Sequence, residues 1–175
     1  MSIKKKLLIF LDLVAICALV ALDQYTKYLA VIHLKDKPAF SIINGVLELN
    51  YLENKGAAFG MLQNQKVFFI FVAVVILSVI GYVLFKVPDN KKYRILHLLL
   101  SLIAAGAIGN MIDRIRLDYV VDFIYFVLIN FPIFNVADIY VTVSTVALVV
   151  LLLFFYKEND LNFISFKQKR YREIK

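Results

Sequence analysis

Long apolar runs alternate along this chain with short segments that hold most of its charged residues. A helix that crosses the roughly 30 Å hydrocarbon core of a bilayer needs about 20 mostly apolar residues. Four runs meet that requirement, at about residues 7–32, 67–85, 95–112 and 139–156. The last three contain no Asp, Glu, Lys or Arg, whereas the first contains Asp12, Asp23 and Lys27. The pattern therefore predicts an all-α integral membrane protein with four transmembrane helices.

The connection between the first two helices has a different periodicity. Leu47, Leu49 and Tyr51 alternate with polar residues, which is typical of a half-buried strand. Asn44-Gly45 stands between this run and an earlier apolar one, and Asn-Gly in that position is a strong β-hairpin signal. We expect a small extracytoplasmic β-sheet or hairpin at about residues 38–60, on the outer membrane surface.

Composition and charge placement fit a membrane protein and indicate its orientation. Hydrophobic residues make up 62% of the chain and its mean hydropathy is +0.79, whereas soluble domains are about 45–50% apolar. Most Lys and Arg residues lie at the N-terminus, between the second and third helices, and after residue 156. Cytoplasmic segments carry such an excess, so both termini are predicted to be cytoplasmic.

The same pattern predicts how the chain is divided. We expect one membrane-embedded domain over residues 1–156 and a basic cytoplasmic tail over residues 157–175, which lies along the inner leaflet or is solvated. The first apolar run is too long for a cleaved signal peptide and has polar residues at its far end, so it is predicted to be a retained helix.

Several function classes are excluded or disfavoured. The net charge of +7 would suit nucleic acid, but the charges form separate clusters with no aromatic-interleaved basic face, so no nucleic-acid partner is expected. The single cysteine excludes an internal disulfide. His33 and His97 fall at opposite faces of the membrane and cannot share a metal. A divalent cation held by Asp113, Asp122 and Asp138 stays open as an alternative; otherwise no metal or cofactor is expected.

Polar side chains from three helices converge at one depth. At a rise of 1.5 Å per residue, Asp23 and Lys27 lie about 24 and 30 Å from the inner end of the first helix. The third helix brings further polar groups to the same level, and the fourth begins there. The residues at this level are Asp23, Lys27, Asn110, Asp113, Arg114 and Asp138.

Each of these residues also has a purely structural interpretation. Asp23 and Lys27 form an i, i+4 pair that stabilises a helix by itself. Asn110, Asp113 and Arg114 are spaced to form a local hydrogen-bonded group. Asp138 is placed to cap its helix, since an acid is favourable at a helix N-terminus. In addition, Asp12 is expected to reach the inner interface or to pair with Lys4 to Lys6, and no role is assigned to it.

Asp122 is harder to explain structurally. It lies in an apolar stretch, and a loop without charged residues separates it from Asp138. A carboxylate in such surroundings is costly unless it is paired or protonated. Two carboxylates brought together at a site of low dielectric share one proton, so the pair is an acid and a base at once. Such a pair can activate water against an amide carbonyl.

Five short blocks, in order along the chain, are similar to a known family. They are DQYTK at 23–27, NKGAAFG at 54–60, GNMIDR at 109–114, VVDFI at 120–124 and FNVAD at 134–138. Together they resemble the bacterial lipoprotein signal peptidases (signal peptidase II, or prolipoprotein signal peptidase; aspartyl protease family A8). The resemblance spans about residues 7–156.

This resemblance implies an intramembrane aspartyl endopeptidase that removes the signal peptide from prolipoproteins, cleaving immediately before a diacylglyceryl-modified cysteine. Asp122 and Asp138 match the catalytic pair by motif position. The residues implied to bind substrate or support the site are Asn54, Gly56, Asn110, Arg114, Asn135, Ala137, Asp23, Lys27 and Asp113. The apolar stretch around residues 126–129 is a candidate for contacting lipid or closing over the site.

The resemblance also implies the setting. We expect a monomeric, multi-pass protein of the bacterial plasma (inner) membrane, with its active site toward the extracytoplasmic leaflet and no cofactor. Its partners would be diacylglyceryl-modified prolipoproteins, membrane lipid and inhibitors of the globomycin type. A proton-coupled transporter and an assembly protein are the alternatives. A transporter usually has its key carboxylate near the midplane, and an assembly protein would tolerate Asp122→Asn or Asp138→Asn.

Overall fold

Long helices dominate the fold, which is a computed structural model that describes residues 2–56 and 61–164. Within these residues, four helices are long and apolar enough to cross a membrane. They are α1 (Ile3–Leu34), α2 (Lys66–Lys86), α3 (Arg94–Leu117) and α4 (Val136–Phe154). The prediction of four such helices is confirmed.

Two helix ends differ from the predicted bounds in a way that affects the polar residues. Helix α3 continues past residue 112 to Leu117, so Asp113 and Arg114 lie within its last turns. It ends where Asp118 adopts a left-handed conformation with φ 69°. Helix α4 begins at Val136 rather than at residue 139, so Asp138 lies in its first turn. The cause is Asn135, whose side chain caps the helix and lets it start earlier.

The helices expose apolar side chains and bury polar ones, as is typical of a membrane protein. Large apolar side chains such as Phe71, Val146 and Leu153 are exposed on the outside of the bundle. Several of the polar and charged residues of α1 and α3, including Asp23, Lys27 and His97, are buried between helices instead. Polar groups within a bilayer usually face the bundle interior, where they find partners.

A small antiparallel sheet covers one end of the bundle, here called the sheet end. Among the described residues its strands are β1 (Phe40–Ile43), β2 (Leu47–Asn54) and β3 (Val120–Phe126), in the order β1-β2-β3. The first two form the predicted hairpin, and Gly45 in its turn has φ 71°, a conformation that favours glycine. Val121 and Phe123 of β3 pack against Ala30 and Leu34 of α1 and fix the sheet on the bundle.

Strand β3 is a correction to the sequence analysis, which treated the residues from Phe123 to Ala137 as an apolar loop. The first four residues of this strand are buried on both faces, so its sequence lacks the alternation that marks a half-buried strand. Asp122 therefore lies on a strand paired to β2, where Leu52 is its register partner.

The opposite end of the bundle, here called the termini end, contains the start of α1, the end of α2, the start of α3 and the end of α4. It holds two further polar contacts. Asp12 Oδ2 lies 2.7 Å from His97 Nδ1, and both side chains are buried. Asp12 therefore pairs with His97 of α3, a partner that the sequence analysis did not propose. Lys5 Nζ donates to the backbone oxygens of Leu84 and Val87 at the end of α2.

The first residues of the predicted tail pack on this end. Glu158–Ile164 forms a 3₁₀ helix, and Phe163 makes an edge-on ring contact with Tyr93. Lys92 Nζ lies 2.6 Å from Asp160 Oδ2. The rest of the predicted tail, and residues 57–60 of the predicted β segment, lie outside the described residues.

Candidate active site

Asp122 lies on β3 at the sheet end and is 1% exposed. Its carboxylate accepts a hydrogen bond from Asn54 Nδ2 at 2.8 Å and another from Asn135 Nδ2 at 2.6 Å. Burial, together with the nearby charge of Asp138, raises the pKa of Asp122 to about 7. A substantial fraction of this carboxyl group is therefore protonated near neutral pH.

Asp138 lies in the first turn of α4, and its backbone and side chain form part of a capping box. The Asn135 side chain accepts from the Asp138 backbone N–H at 3.0 Å, while Asp138 Oδ2 accepts from the Asn135 backbone N–H at 3.1 Å. This reciprocal arrangement satisfies two backbone N–H groups at the helix start and fixes the Asp138 rotamer. The sequence Asn135-Val136-Ala137-Asp138 thus sets both where α4 begins and where its carboxylate lies.

Two asparagine side chains connect the carboxylates. Asn110 Nδ2 donates to Asp138 Oδ1 at 2.8 Å, and Asn135 Nδ2 donates to both Asp122 Oδ1 and Asn110 Oδ1, at 2.6 and 3.1 Å. Asp122 and Asp138 are therefore held in one hydrogen-bonded network, although one comes from the sheet and the other from a helix. A network of this kind restricts the side chains to one arrangement.

Both carboxylates line a cavity of about 610 Å³ that opens at the sheet end. Its polar lining consists of Asn54, Asn110, Arg114, Asp122, Asp138 and Thr142. The remaining wall is largely apolar and includes Phe126, Phe131 and Phe134. Ligand sites commonly combine a mostly apolar wall with a few convergent polar groups.

A buried ion cluster supports Asn110 from behind. Lys27 Nζ lies 2.9 Å from Asp23 Oδ2, 3.0 Å from Asp113 Oδ2 and 2.9 Å from Asn110 Oδ1. Asp23 Oδ1 also accepts from the backbone N–H of Ala137 at 3.0 Å. The Lys27 side chain is 4% exposed, so solvent screens these contacts little. The cluster joins α1, α3 and the start of α4.

Arg114 completes the polar part of the cavity. Its Nη2 donates to the Gly56 backbone oxygen at 3.2 Å and its Nη1 donates to the Asn110 backbone oxygen at 3.4 Å. Gly56 is further held by its N–H, which donates to Asn54 Oδ1 at 2.9 Å. The structure thus brings together every residue that the sequence analysis proposed for the site.

Gln24 is a supporting residue that the sequence analysis did not select. Its Nε2 donates to Asp113 Oδ1 at 2.9 Å and to the Gly109 backbone oxygen at 3.3 Å. The available signal was its position inside the DQYTK block. The second Asp113 oxygen accepts from the Val121 N–H and from Lys27. Both oxygens of Asp113 therefore take part in contacts within this cluster. Among the described residues, no group of three or more His, Cys, Asp or Glu is arranged to hold a metal ion.

The chain matches a known family over most of its length. Residues 15–155 match the family described as signal peptidase (SPase) II, Peptidase A8. The chain belongs to the signal peptidase II family. All of α2, α3 and α4, the sheet, and each residue of the site fall inside the matched range.

Individual relatives agree with the family. A lipoprotein signal peptidase of Caldanaerobacter subterraneus subsp. tengcongensis is 46% identical over 143 residues, covering 81% of this chain and 95% of the relative. One from Streptococcus thermophilus is 47% identical over 140 residues, covering 79% and 90%. One from Streptococcus pyogenes serotype M5 is 43% identical over 157 residues, covering 89% and 97%.

Solved structures extend the similarity to the fold. Two bacterial membrane enzyme structures determined by the in meso method superpose with TM-scores of 0.76 and 0.74, at 31% and 32% identity. The first covers 95% of this chain and 96% of its own, and the second covers 85% and 96%. The mainly helical architecture with a small sheet is therefore shared with membrane enzymes.

Proposed function

We propose that this protein is an intramembrane aspartyl endopeptidase that removes signal peptides from bacterial prolipoproteins, cutting immediately before a diacylglyceryl-modified cysteine. The family and its lipoprotein signal peptidases support the reaction class. The observation that carries the site is the pair Asp122 and Asp138, joined through Asn110 and Asn135 on the wall of one cavity. The other residues of the candidate active site would bind the substrate backbone or hold this pair.

The pair can perform amide hydrolysis without another reactive group. Asp122, protonated to a large extent near neutral pH, donates a hydrogen bond to the scissile carbonyl oxygen and polarises it. Asp138 in its ionised form takes a proton from water, whose oxygen then bonds to the carbonyl carbon. In the second step the C–N bond breaks, and the proton held by Asp138 passes to the leaving nitrogen.

The cavity wall suits a substrate that carries lipid. Phe126 and Phe131 line the cavity, and Leu128 and Ile129 beside them are 70% and 69% exposed. An apolar rim of this kind fits acyl chains, so the diacylglyceryl group can stay in the membrane while the peptide bond reaches the carboxylates. Cyclic peptides of the globomycin type are expected to compete for the same cavity.

The proposed setting follows from charge placement. With the termini end toward the cytoplasm, Lys86, Lys91, Lys92 and Arg94 face the cytoplasm, as the positive-inside rule requires. The sheet end and its cavity then face the extracytoplasmic leaflet of the plasma membrane, where lipidated prolipoproteins are anchored. Both termini are then cytoplasmic. The protein is proposed to act as a monomer, because one chain supplies every residue of the site.

The proposed function is tested with the purified full-length chain in detergent micelles. Three synthetic peptides share one signal sequence and carry diacylglyceryl-cysteine, unmodified cysteine or alanine at the cleavage position. Mass spectrometry is expected to show a single cut before the lipidated cysteine and little or no cutting of the other two. Cleavage at another bond, equal cleavage of all three peptides, or no cleavage of any would contradict the proposal.

The pH dependence of cleavage follows from the shared proton. Because the pKa of Asp122 is raised to about 7, this group loses its proton as the pH rises through that value. We expect kcat/KM to fall about tenfold per pH unit above roughly pH 7 to 8, and to fall again in acid once both carboxyls are protonated. The measurement is kcat/KM from pH 4 to 10 on one lipidated peptide. A rate that stays constant from pH 7 to 10 would refute the role of a protonated carboxyl group.

A further inference from the structure

The guanidinium of Arg114 makes a contact that none of the motif residues provides. Its Cζ lies 4.4 Å from the centroid of the Phe69 ring, which comes from α2. We propose that Phe69 is a positioning residue for the peptidase reaction. Its ring holds the Arg114 guanidinium in the orientation in which Arg114 lines the cavity. This inference rests on the function proposed above.

The hydrogen bonds of Arg114 are not sufficient to fix that plane. Its two described hydrogen bonds are 3.2 and 3.4 Å long, at the weak end of the range for N–H donors, and both acceptors are backbone oxygens. A planar guanidinium stacks favourably on an aromatic face, within about 6 Å of the centroid. The ring therefore supplies the contact that selects one orientation of a long and flexible side chain.

The ring lies where the start of α2 packs against the end of α3. Lys66, one turn before Phe69, places its Nζ 2.6 Å from Asp118 Oδ1 and 3.4 Å from the Ile115 backbone oxygen. Helix α2 packs along α3, and this exposed ion pair lies where its first turn meets the last turn of α3, which contains Arg114. In this way α2, which contributes no residue to the cavity wall or to the support cluster described above, still affects the geometry of the site.

The consequence should appear mainly in substrate binding. Arg114 lines the cavity together with both carboxylates, and its remaining N–H groups are suited to bind a substrate carbonyl. A donor that is already oriented binds without first losing conformational freedom. Without the ring, that loss accompanies every binding event, so KM should rise more than kcat falls.

The test compares substitutions at Phe69 with one at a lipid-facing position of the same helix. Phe69→Leu is expected to raise KM about 3- to 30-fold, whereas Phe69→Tyr and Phe69→Trp, which keep an aromatic face, should stay within about threefold of wild type. The matched control is Phe71→Leu, because Phe71 is 64% exposed on α2. It should leave both constants unchanged. Equal kinetics for Phe69→Leu and wild type would overturn the proposal, as would equal losses in the Leu, Tyr and Trp variants.

A second measurement is independent of turnover. In a 15N-labelled sample, the Nε–Hε resonance of Arg114, identified by its disappearance in Arg114→Lys, should be shielded by the ring. Phe69→Leu should move this resonance downfield because the shielding ring is gone, and Phe71→Leu should leave it unchanged. If the wild-type chain cleaves no prolipoprotein peptide, the proposed function fails, and the ring contact is then judged by this shift alone. An unchanged shift in Phe69→Leu would refute the contact.

Discussion

Replacing either Asp122 or Asp138 with asparagine is expected to lower kcat for signal-peptide removal by about 10²- to 10⁴-fold. Asparagine has almost the same shape as aspartate, but it can neither take a proton from water nor give one to the leaving nitrogen. Asparagine side chains hold each carboxylate in its own place, and the two groups have different proposed roles, one as acid and one as base, so neither should replace the other. The measurement is the single-turnover rate on a lipidated peptide.

The double variant distinguishes a catalytic pair from two independent contributions. Because the two groups act as a unit, Asp122→Asn combined with Asp138→Asn should be about as slow as either single variant, not slower by the product of the two losses. Asp36→Asn is the matched control, since Asp36 is exposed and its left-handed conformation suits asparagine. Each variant is compared by circular dichroism and size-exclusion chromatography. A well-folded Asp138→Asn protein with wild-type activity would refute the assignment of the pair.

Replacing Lys27 with methionine is expected to have the largest effect on stability. Methionine fills a similar volume, but it leaves the carboxylates of Asp23 and Asp113 buried without their common cation. Removing one partner of a buried ion pair typically costs about 3–5 kcal/mol, which corresponds to a decrease in Tm of roughly 6–20 °C for a chain of this size. Asn110 Oδ1 also loses one of its two donors and keeps only Asn135 Nδ2, so cleavage should slow as well.

Two further variants identify the cause of that loss. Lys35→Met removes an ion pair to Glu53 whose two side chains are partly exposed, so the loss should be small and its Tm should stay close to that of wild type. Adding Asp113→Asn to Lys27→Met removes one of the two uncompensated charges and should recover part of the lost Tm. The readout is thermal unfolding in detergent, monitored by intrinsic tyrosine fluorescence. A Lys27→Met protein as stable as wild type would show that burial of this cluster carries no such cost.

The apolar runs and the Asn-Gly turn were sufficient to predict the helices and the first hairpin, because helix length in a bilayer and turn geometry are local properties. Asp122 and Asp138 could be paired from the sequence because an acid in apolar surroundings needs a partner. Strand β3 could not be predicted, because a strand buried on both faces lacks the alternation of apolar and polar residues that marks a half-buried strand. Phe69 was also missed, because nothing in an apolar helix distinguishes a ring that faces a guanidinium from one that faces lipid.

The pairing of Asp12 with His97 has a consequence for biosynthesis. These residues are 85 positions apart, which at about 5–20 residues per second corresponds to roughly 4 to 17 s of translation. During that interval α1 has already been synthesised with a carboxylate whose final partner does not yet exist. The first helix can complete its polar contacts only when the third arrives beside it. We therefore expect stable insertion of α1 to depend on α3, so that α1 of a nascent chain halted before residue 97 should be more easily extracted from the membrane than α1 of the finished protein.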